Sequence, residues 1–220
     1  MARLVSIGPV RAIRESRRCL TGRVAVDDGS VAFESSLERD WLVVLDFDIA
    51  VTALREQPFT IGYDSPEGRR RYTPDALATF LREAGRTETV VYEVKPREEL
   101  KTNWRLYENR FRAATRYCKR KGWCFRIVTE REIRTPLLEN AKFFRRYRNL
   151  ERNPLTCDQL LFTLKALGET TPQALLAAAY WTEETRMAAL PMLWKLVAER
   201  EILTDFQRSL TMASPIRPGG

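Results

Sequence analysis

The sequence predicts an α/β domain built on a mixed sheet, followed by a small helical domain, and three observations carry this. Residues 90–129 read as strand, helix, strand, a βαβ unit whose two strands must be parallel. Another strand, residues 71–80, joins the first of these through the polar segment 82–86, which predicts an antiparallel hairpin. Beyond the polar stretch 148–154 the strand signals give way to three helical patterns.

Taken in order, residues 1–30 form a basic arm carried by Arg11, Arg14, Arg17 and Arg18, closed by the turn Asp27-Asp28-Gly29-Ser30. Residues 34–47 predict a helix. With Leu37 at zero, Trp41, Leu45 and Leu42 fall at about 40°, 80° and 140°, a single apolar arc. Residues 54–63 are extended, with Pro58 restricting them to an edge or broken strand. Ser65-Pro66-Glu67-Gly68 signals a turn that carries Arg69-Arg70-Arg71 into the strand 71–80, and residues 87–95 form the strand that returns. Leu100, Trp104, Tyr107, Phe111, Ala114 and Cys118 mark an amphipathic helix over 100–121, which Gly122 stops. Residues 123–129 form the next strand, and 133–147 a helix interrupted at Pro136. Helices then follow at 156–167, at 172–180 with Thr171 as N-cap and Pro172 at the first turn, and at 182–200, where Pro191 predicts a kink or break. Residues 202–206 and 209–212 are expected to pair across Gln207-Arg208. Three helices followed by a two-stranded ribbon is the order of a winged-helix domain. The expected division is an arm (1–30), a main domain (31–150) and a helical domain (151–220).

The net charge of +8 is unevenly placed. Residues 151–220 hold seven Lys and Arg against eight Asp and Glu, so the excess lies on residues 1–150. Concentrated arginine is the footprint of phosphate neutralisation, which points the first part at nucleic acid and the second at protein docking. The chain has no histidine, which removes Ser-His-Asp and Cys-His catalysis, zinc proteases and deaminases, and nucleases with a histidine base. A hydrolase of this composition is expected to work with carboxylates, lysine and a hard cation. Cys19, Cys118, Cys124 and Cys157 form no CxxC pair, which predicts free thiols in a reducing cytoplasm. Residues 1–20 lack an apolar signal region, and no apolar run is long enough to span a bilayer.

The chemistry-bearing segments are Tyr72-Thr73-Pro74-Asp75 and Val90-Val91-Tyr92-Glu93-Val94-Lys95, on the two arms of the expected hairpin. Side chains alternate along a strand, so Glu93 and Lys95 share a face, and Asp75 lies on the neighbouring strand. Such a pair of carboxylates can hold a divalent cation beside an ammonium. Charges two apart on a strand commonly form a solvated face, but the Val-rich run predicts a buried strand, where unpaired charge is costly. Two further carboxylates compete on the first helix: Glu38 at about 100° and Glu34 at about 60°, the latter nearer the helix N-terminus.

Phe33-Glu34-Ser35-Ser36-Leu37-Glu38-Arg39-Asp40, Arg55-Glu56-Gln57-Pro58-Phe59, Tyr72-Thr73-Pro74-Asp75 and Glu93-Val94-Lys95-Pro96, in this order, resemble the TnsA endonuclease subunit of heteromeric cut-and-paste transposases. The resemblance covers about residues 30–150 and extends more loosely over the C-terminal helices. It implies a restriction-endonuclease-like α/β core of the PD-(D/E)xK superfamily that nicks the 5′ ends of a transposon with Mg²⁺, for which Mn²⁺ is an expected substitute. It also implies a DDE-type transposase subunit acting on the 3′ ends and an AAA+ ATPase regulator docking on the C-terminal region, in a bacterial cytoplasm. Target choice by a sequence-reading protein and by an RNA-guided complex are both compatible with it. The resemblance places the helix glutamate at Glu38, the metal aspartate at Asp75, the second-strand ligand at Glu93 and the lysine at Lys95. The implied catalytic set is Glu38, Asp75, Glu93 and Lys95, with Glu38, Asp75 and Glu93 as metal ligands. A glutamine can occupy the Glu93 place in this family, and the glutamate adds a charge that favours tighter cation binding. Gln57 is given a supporting role.

Arg69, Arg70 and Arg71 are candidate DNA contacts. So are Arg112, Arg116 and Lys119, with Arg110, Arg120 and Lys121 on the same helix, although a solvated helix face explains these equally well. The aromatics of Phe143-Phe144-Arg145-Arg146-Tyr147, and Trp181 and Trp194, are expected in a core. Two rival readings are a free-standing restriction or repair nuclease and a catalytically silent DNA-binding adaptor. The intact acid–lysine set opposes the adaptor, and the acidic-leaning segment 151–220 opposes the free-standing nuclease.

Overall fold

The computed structural model describes residues 31–219, with side chains from residue 36. The basic arm, Cys19 and the side chain of Glu34 lie outside the described residues. The chain divides into two compact units, the first ending at Ile133 and the second running from Arg134.

The first unit begins with α1 (Val31–Phe47). Strand β1 (Val51–Glu56) follows, and the chain breaks at Gln57-Pro58, where Gln57 has φ 41°. Strands β2 (Ile61–Ser65) and β3 (Gly68–Tyr72) form a separate antiparallel hairpin. Strands β4 (Ala76–Leu81) and β5 (Thr87–Val94) are antiparallel neighbours, α2 (Arg97–Lys121) crosses over, and β6 (Cys124–Val128) lies parallel to β5. The central sheet has the order β1-β4-β5-β6. A short helix, α3 (Glu130–Ile133), closes the unit.

Two expectations need correction here. Residues 71–80 are not one strand, because Pro74 has no N–H to give a ladder. Tyr72 ends the hairpin and Ala76 starts the central sheet. Arg69-Arg70-Arg71 therefore lies on β3 rather than in a turn. The break leaves Asp75 between the two sheets, its N–H donating to Tyr92 O (3.1 Å) and its C=O accepting from Gln57 N–H (2.9 Å).

Alternation along β5 sorts the two faces. Val91 joins Leu77 in a core with Ala113, Ala114, Tyr117 and Cys118 of α2 and Ile61 and Tyr72 of the hairpin. On the opposite face α1 sets Trp41 against Tyr92, ring centroids 5.1 Å apart. Gly122 takes φ 71° and ends α2, a conformation only glycine adopts at little cost.

The second unit contains α4 (Pro136–Arg148), α5 (Pro154–Leu167), α6 (Pro172–Ala179) and α7 (Glu183–Ala198). Asn153, Thr171 and Thr182 each cap a helix by accepting a backbone N–H. The polar stretch 148–154 lies inside this unit, between α4 and α5. Fully buried Phe144 of α4 meets Trp194 of α7 at 6.0 Å and Phe206 at 5.6 Å. Helix α7 runs on through Pro191 instead of breaking there.

The ribbon also differs from expectation. Strand β7 (Ile202–Leu203) pairs with β8 (Arg217–Pro218), not with residues 209–212. Buried Asn140 holds the intervening loop: its amide donates to Phe206 O and Arg208 O and its carbonyl accepts from Leu210 N–H. Met212 O accepts from Gln173 N–H, so that backbone is committed elsewhere. Trp194 is buried as expected, but Trp181 is 95% exposed, because it sits in the linker between α6 and α7 and faces no core.

Candidate active site

Continuing the β4–β5 register past Ala76↔Tyr92 sets Asp75 opposite Glu93, on the face covered by α2. Glu93 is only 2% exposed and Lys95 8%. Asp75 Oδ2 accepts from Val94 N–H at 2.7 Å, and Lys95 N–H donates to Val128 O at 3.1 Å. These bonds tie the acid to β5 and the lysine to the parallel strand β6. Asp75, Glu93 and Lys95 all lie within electrostatic reach of one another.

Both oxygens of Glu93 are engaged. The Tyr72 hydroxyl donates to Oε2 at 2.6 Å, and Arg110 Nη2 lies 3.1 Å from Oε1. Burial and the charge of Asp75 push the Glu93 carboxyl up to about 7, against the lowering effect of Tyr72, Arg110 and Lys95. Burial also raises Asp75, partly offset by the Val94 N–H and by Lys95. Burial and the adjacent Glu93 raise the Tyr72 phenol, so Tyr72 stays a donor.

The structure thus brings Asp75, Glu93 and Lys95 together and sets Gln57 beside Asp75 through the backbone. Glu38 lies half-buried on α1, the helix whose Trp41 covers the other face of the sheet. Among the described residues no group of three or more His, Cys, Asp and Glu is gathered to hold a cation. Arg69, Arg70 and Arg71 are exposed on β3, with Arg70 paired to Glu67. Arg112, Arg116 and Lys119 line the exposed side of α2, where Arg112 meets Glu108 at 2.7 Å.

Two site residues have no role in the sequence pattern alone: Tyr72 lies in the Tyr72-Thr73-Pro74-Asp75 segment, and Arg110 reads as one of the cations on the face of α2. A signal for Arg110 existed: it lies three residues after Tyr107 and four before Ala114, within the apolar stripe of α2. A lone cation there implies a buried acid opposite.

Paired acids on adjacent strands with a lysine two residues on can serve phosphodiester hydrolysis, and comparison with known families decides the lineage. Residues 48–130 match the family model TnsA-like endonuclease N terminal, and residues 132–206 match TnsA endonuclease C terminal. The chain belongs to the TnsA endonuclease family. Its first unit is the restriction-endonuclease-like α/β fold, and its second the TnsA C-terminal helical domain. This membership makes it a transposon-associated DNA endonuclease subunit, from a family that acts on DNA with other transposase subunits. No curated protein matches the chain. Among the described residues no helix is long and apolar enough to cross a membrane.

Proposed function

We propose that this TnsA-type chain hydrolyses the 5′, non-transferred strand at each transposon end, as the Mg²⁺-dependent endonuclease subunit of a heteromeric cut-and-paste transposase. The Asp75–Glu93–Lys95 group, with Glu93 and Lys95 buried and Asp75 half-buried beside them, carries the reading, because two acids and a cation gathered under α2 have no solvating role. The donor set suits a hard cation: Mg²⁺ is held by one or two carboxylates together with substrate phosphates, and Mn²⁺ accepts the same oxygens. Asp75 and Glu93 would hold it, with Glu38 as the third acidic member. Bound there, it would supply Lewis acidity to the phosphodiester and lower the pKa of a water.

The remaining work belongs to the chain. Val94 N–H orients the Asp75 carboxylate, and Gln57 supports it by fixing the Asp75 backbone. Lys95 orients the attacking water and offsets charge developing on the phosphorane oxygens. Arg69, Arg70 and Arg71 of β3, with Arg112, Arg116 and Lys119 of α2, hold the DNA backbone in register. The acidic-leaning segment 151–220 docks the AAA+ ATPase regulator, and a DDE-type transposase subunit cuts and joins the 3′ ends.

The test is strand-specific nicking of a transposon-end duplex with the partner subunits present. Asp75→Ala should abolish the 5′ cut while the protein stays folded and partner-bound. The 3′ ends would still be joined, so the product becomes a cointegrate instead of a simple insertion. Release of the element by double-strand breaks with Asp75→Ala would overturn the assignment. Glu38→Gln tests the third acid separately.

A further inference from the structure

Arg110 is set apart from the other cations of α2. Its guanidinium carbon lies 4.0 Å from the ring centroid of Tyr107, 5.2 Å from that of Phe111 and 5.6 Å from that of Tyr72. The side chain is 23% exposed, and its Nε–H is buried without a hydrogen-bond acceptor. A buried, unmatched donor is unfavourable. What Arg110 gains in return is the aromatic faces and the 3.1 Å contact with Glu93 Oε1. It is therefore turned into the site, away from the exposed stripe of Arg112, Arg116 and Lys119.

The charges at the site follow from the residue types. Ionised Asp75 and Glu93 are balanced by Lys95 and Arg110, so these four groups sum to zero. A site for a divalent cation works through net negative charge. The Tyr72 phenol can keep donating to Oε2 while the carboxylate accepts a cation. A guanidinium on Oε1 cannot share that oxygen with a divalent cation without strong repulsion. Of the two partners of Glu93, Arg110 is the one that must move. Its unbranched stem and partial exposure give it somewhere to go.

We propose that Arg110 is a resident counter-cation of Glu93, held in competition with the divalent cation, so that the site loads fully only when Arg110 releases the carboxylate. This rests on the reading of Asp75 and Glu93 as cation ligands. It makes Arg110 a positioning residue that neutralises Glu93 in the resting enzyme, while the Tyr72 hydroxyl keeps the carboxylate ordered, and that sets the threshold for cation entry. A purely structural ion pair predicts the opposite, because its removal would disorder Glu93 and weaken cation binding.

The test is Mn²⁺ binding by calorimetry on the full chain, with wild type and variants compared at one fixed pH. Arg110→Met keeps an unbranched stem against the aromatic rings and removes the charge, and Arg110→Lys keeps the charge. The Met variant should bind Mn²⁺ about tenfold or more tightly than the wild type, with the Lys variant close to wild type. Equal or weaker binding by a folded Met variant overturns the inference. Should that variant fail to fold, the wild type decides through the ¹⁵N side-chain resonance of Arg110 during a Mg²⁺ titration. The resonance should move in step with occupancy, and one that stays fixed while the site fills overturns the inference. Absence of saturable binding in wild type and both variants overturns the cation-site reading itself, and this inference with it. That result is distinct from binding that is present but indifferent to Arg110.

Discussion

Glu93 offers a stability test that needs neither DNA nor partner subunits. Its carboxyl ordinarily titrates near 4.5 and is pushed up to about 7 in the fold by burial and by Asp75. The sign follows from which state binds the proton more tightly. Below about pH 4.5 Glu93 is protonated in both the folded and unfolded chain and has no effect on stability. As the pH rises the unfolded chain ionises first, and stability falls until the folded group has ionised too, somewhat above 7. At about 1.4 kcal/mol per pH unit, that interval is worth on the order of 3 kcal/mol at alkaline pH. Glu93→Gln removes the titration while preserving shape and an acceptor for the Tyr72 hydroxyl. Urea unfolding of both proteins at about pH 5 and pH 8.5 should show the wild type losing on the order of 3 kcal/mol relative to the variant between the two. Saturating Mg²⁺ at the higher pH should return part of that loss to the wild type and less to the variant, because a ligand stabilises only the state that binds it. A stability difference that stays constant with pH, or grows in favour of glutamate, would show Glu93 to be an ordinary stabilised carboxylate and refute the reasoning.

Lys95→Ala should behave differently from Asp75→Ala. The ammonium cannot ligate Mg²⁺, so cation binding by calorimetry should persist or tighten while the nicking rate falls by about 10² or more. Loss of cation binding in a folded Lys95→Ala protein would make the lysine structural. The charge distribution predicts a third outcome. Residues 1–150 should bind duplex DNA with steep salt dependence, and residues 151–220 should bind it weakly at moderate salt. Equal affinity by filter binding would contradict that assignment.

What the sequence made legible follows from how local each signal was. The helix α2, its Gly122 stop and the parallel β5–β6 pair depend on spacing within one segment, and residues 97–128 fold as the pattern requires. Asp75 and Glu93 met because a two-residue period and one hairpin register suffice to place them. The errors arose where distant groups decide the backbone. Residues 71–80 read as one β-rich run, yet Pro74 cannot donate, and the Asp75 carbonyl is held by the Gln57 N–H just past the end of the neighbouring β1, a segment far away in sequence. Residues 209–212 looked ready to pair, yet Asn140, a side chain on another helix, holds the Leu210 N–H. Trp181 looked like core because tryptophan usually is, and no local period shows that a short linker leaves it outside. Arg110 is the instructive case. Its wheel position put it among apolar residues, while its residue type suggested phosphate, and only the register of β5 under α2 reveals Glu93 opposite it. The same break at Pro74 that defeated the strand assignment frees Tyr72 to reach the other oxygen of Glu93. Local departures from ideal strand geometry therefore build the pocket that holds the acid. Substitutions that restore strand regularity there, such as Pro74→Val, should disturb the position of Glu93 more than the stability of the sheet.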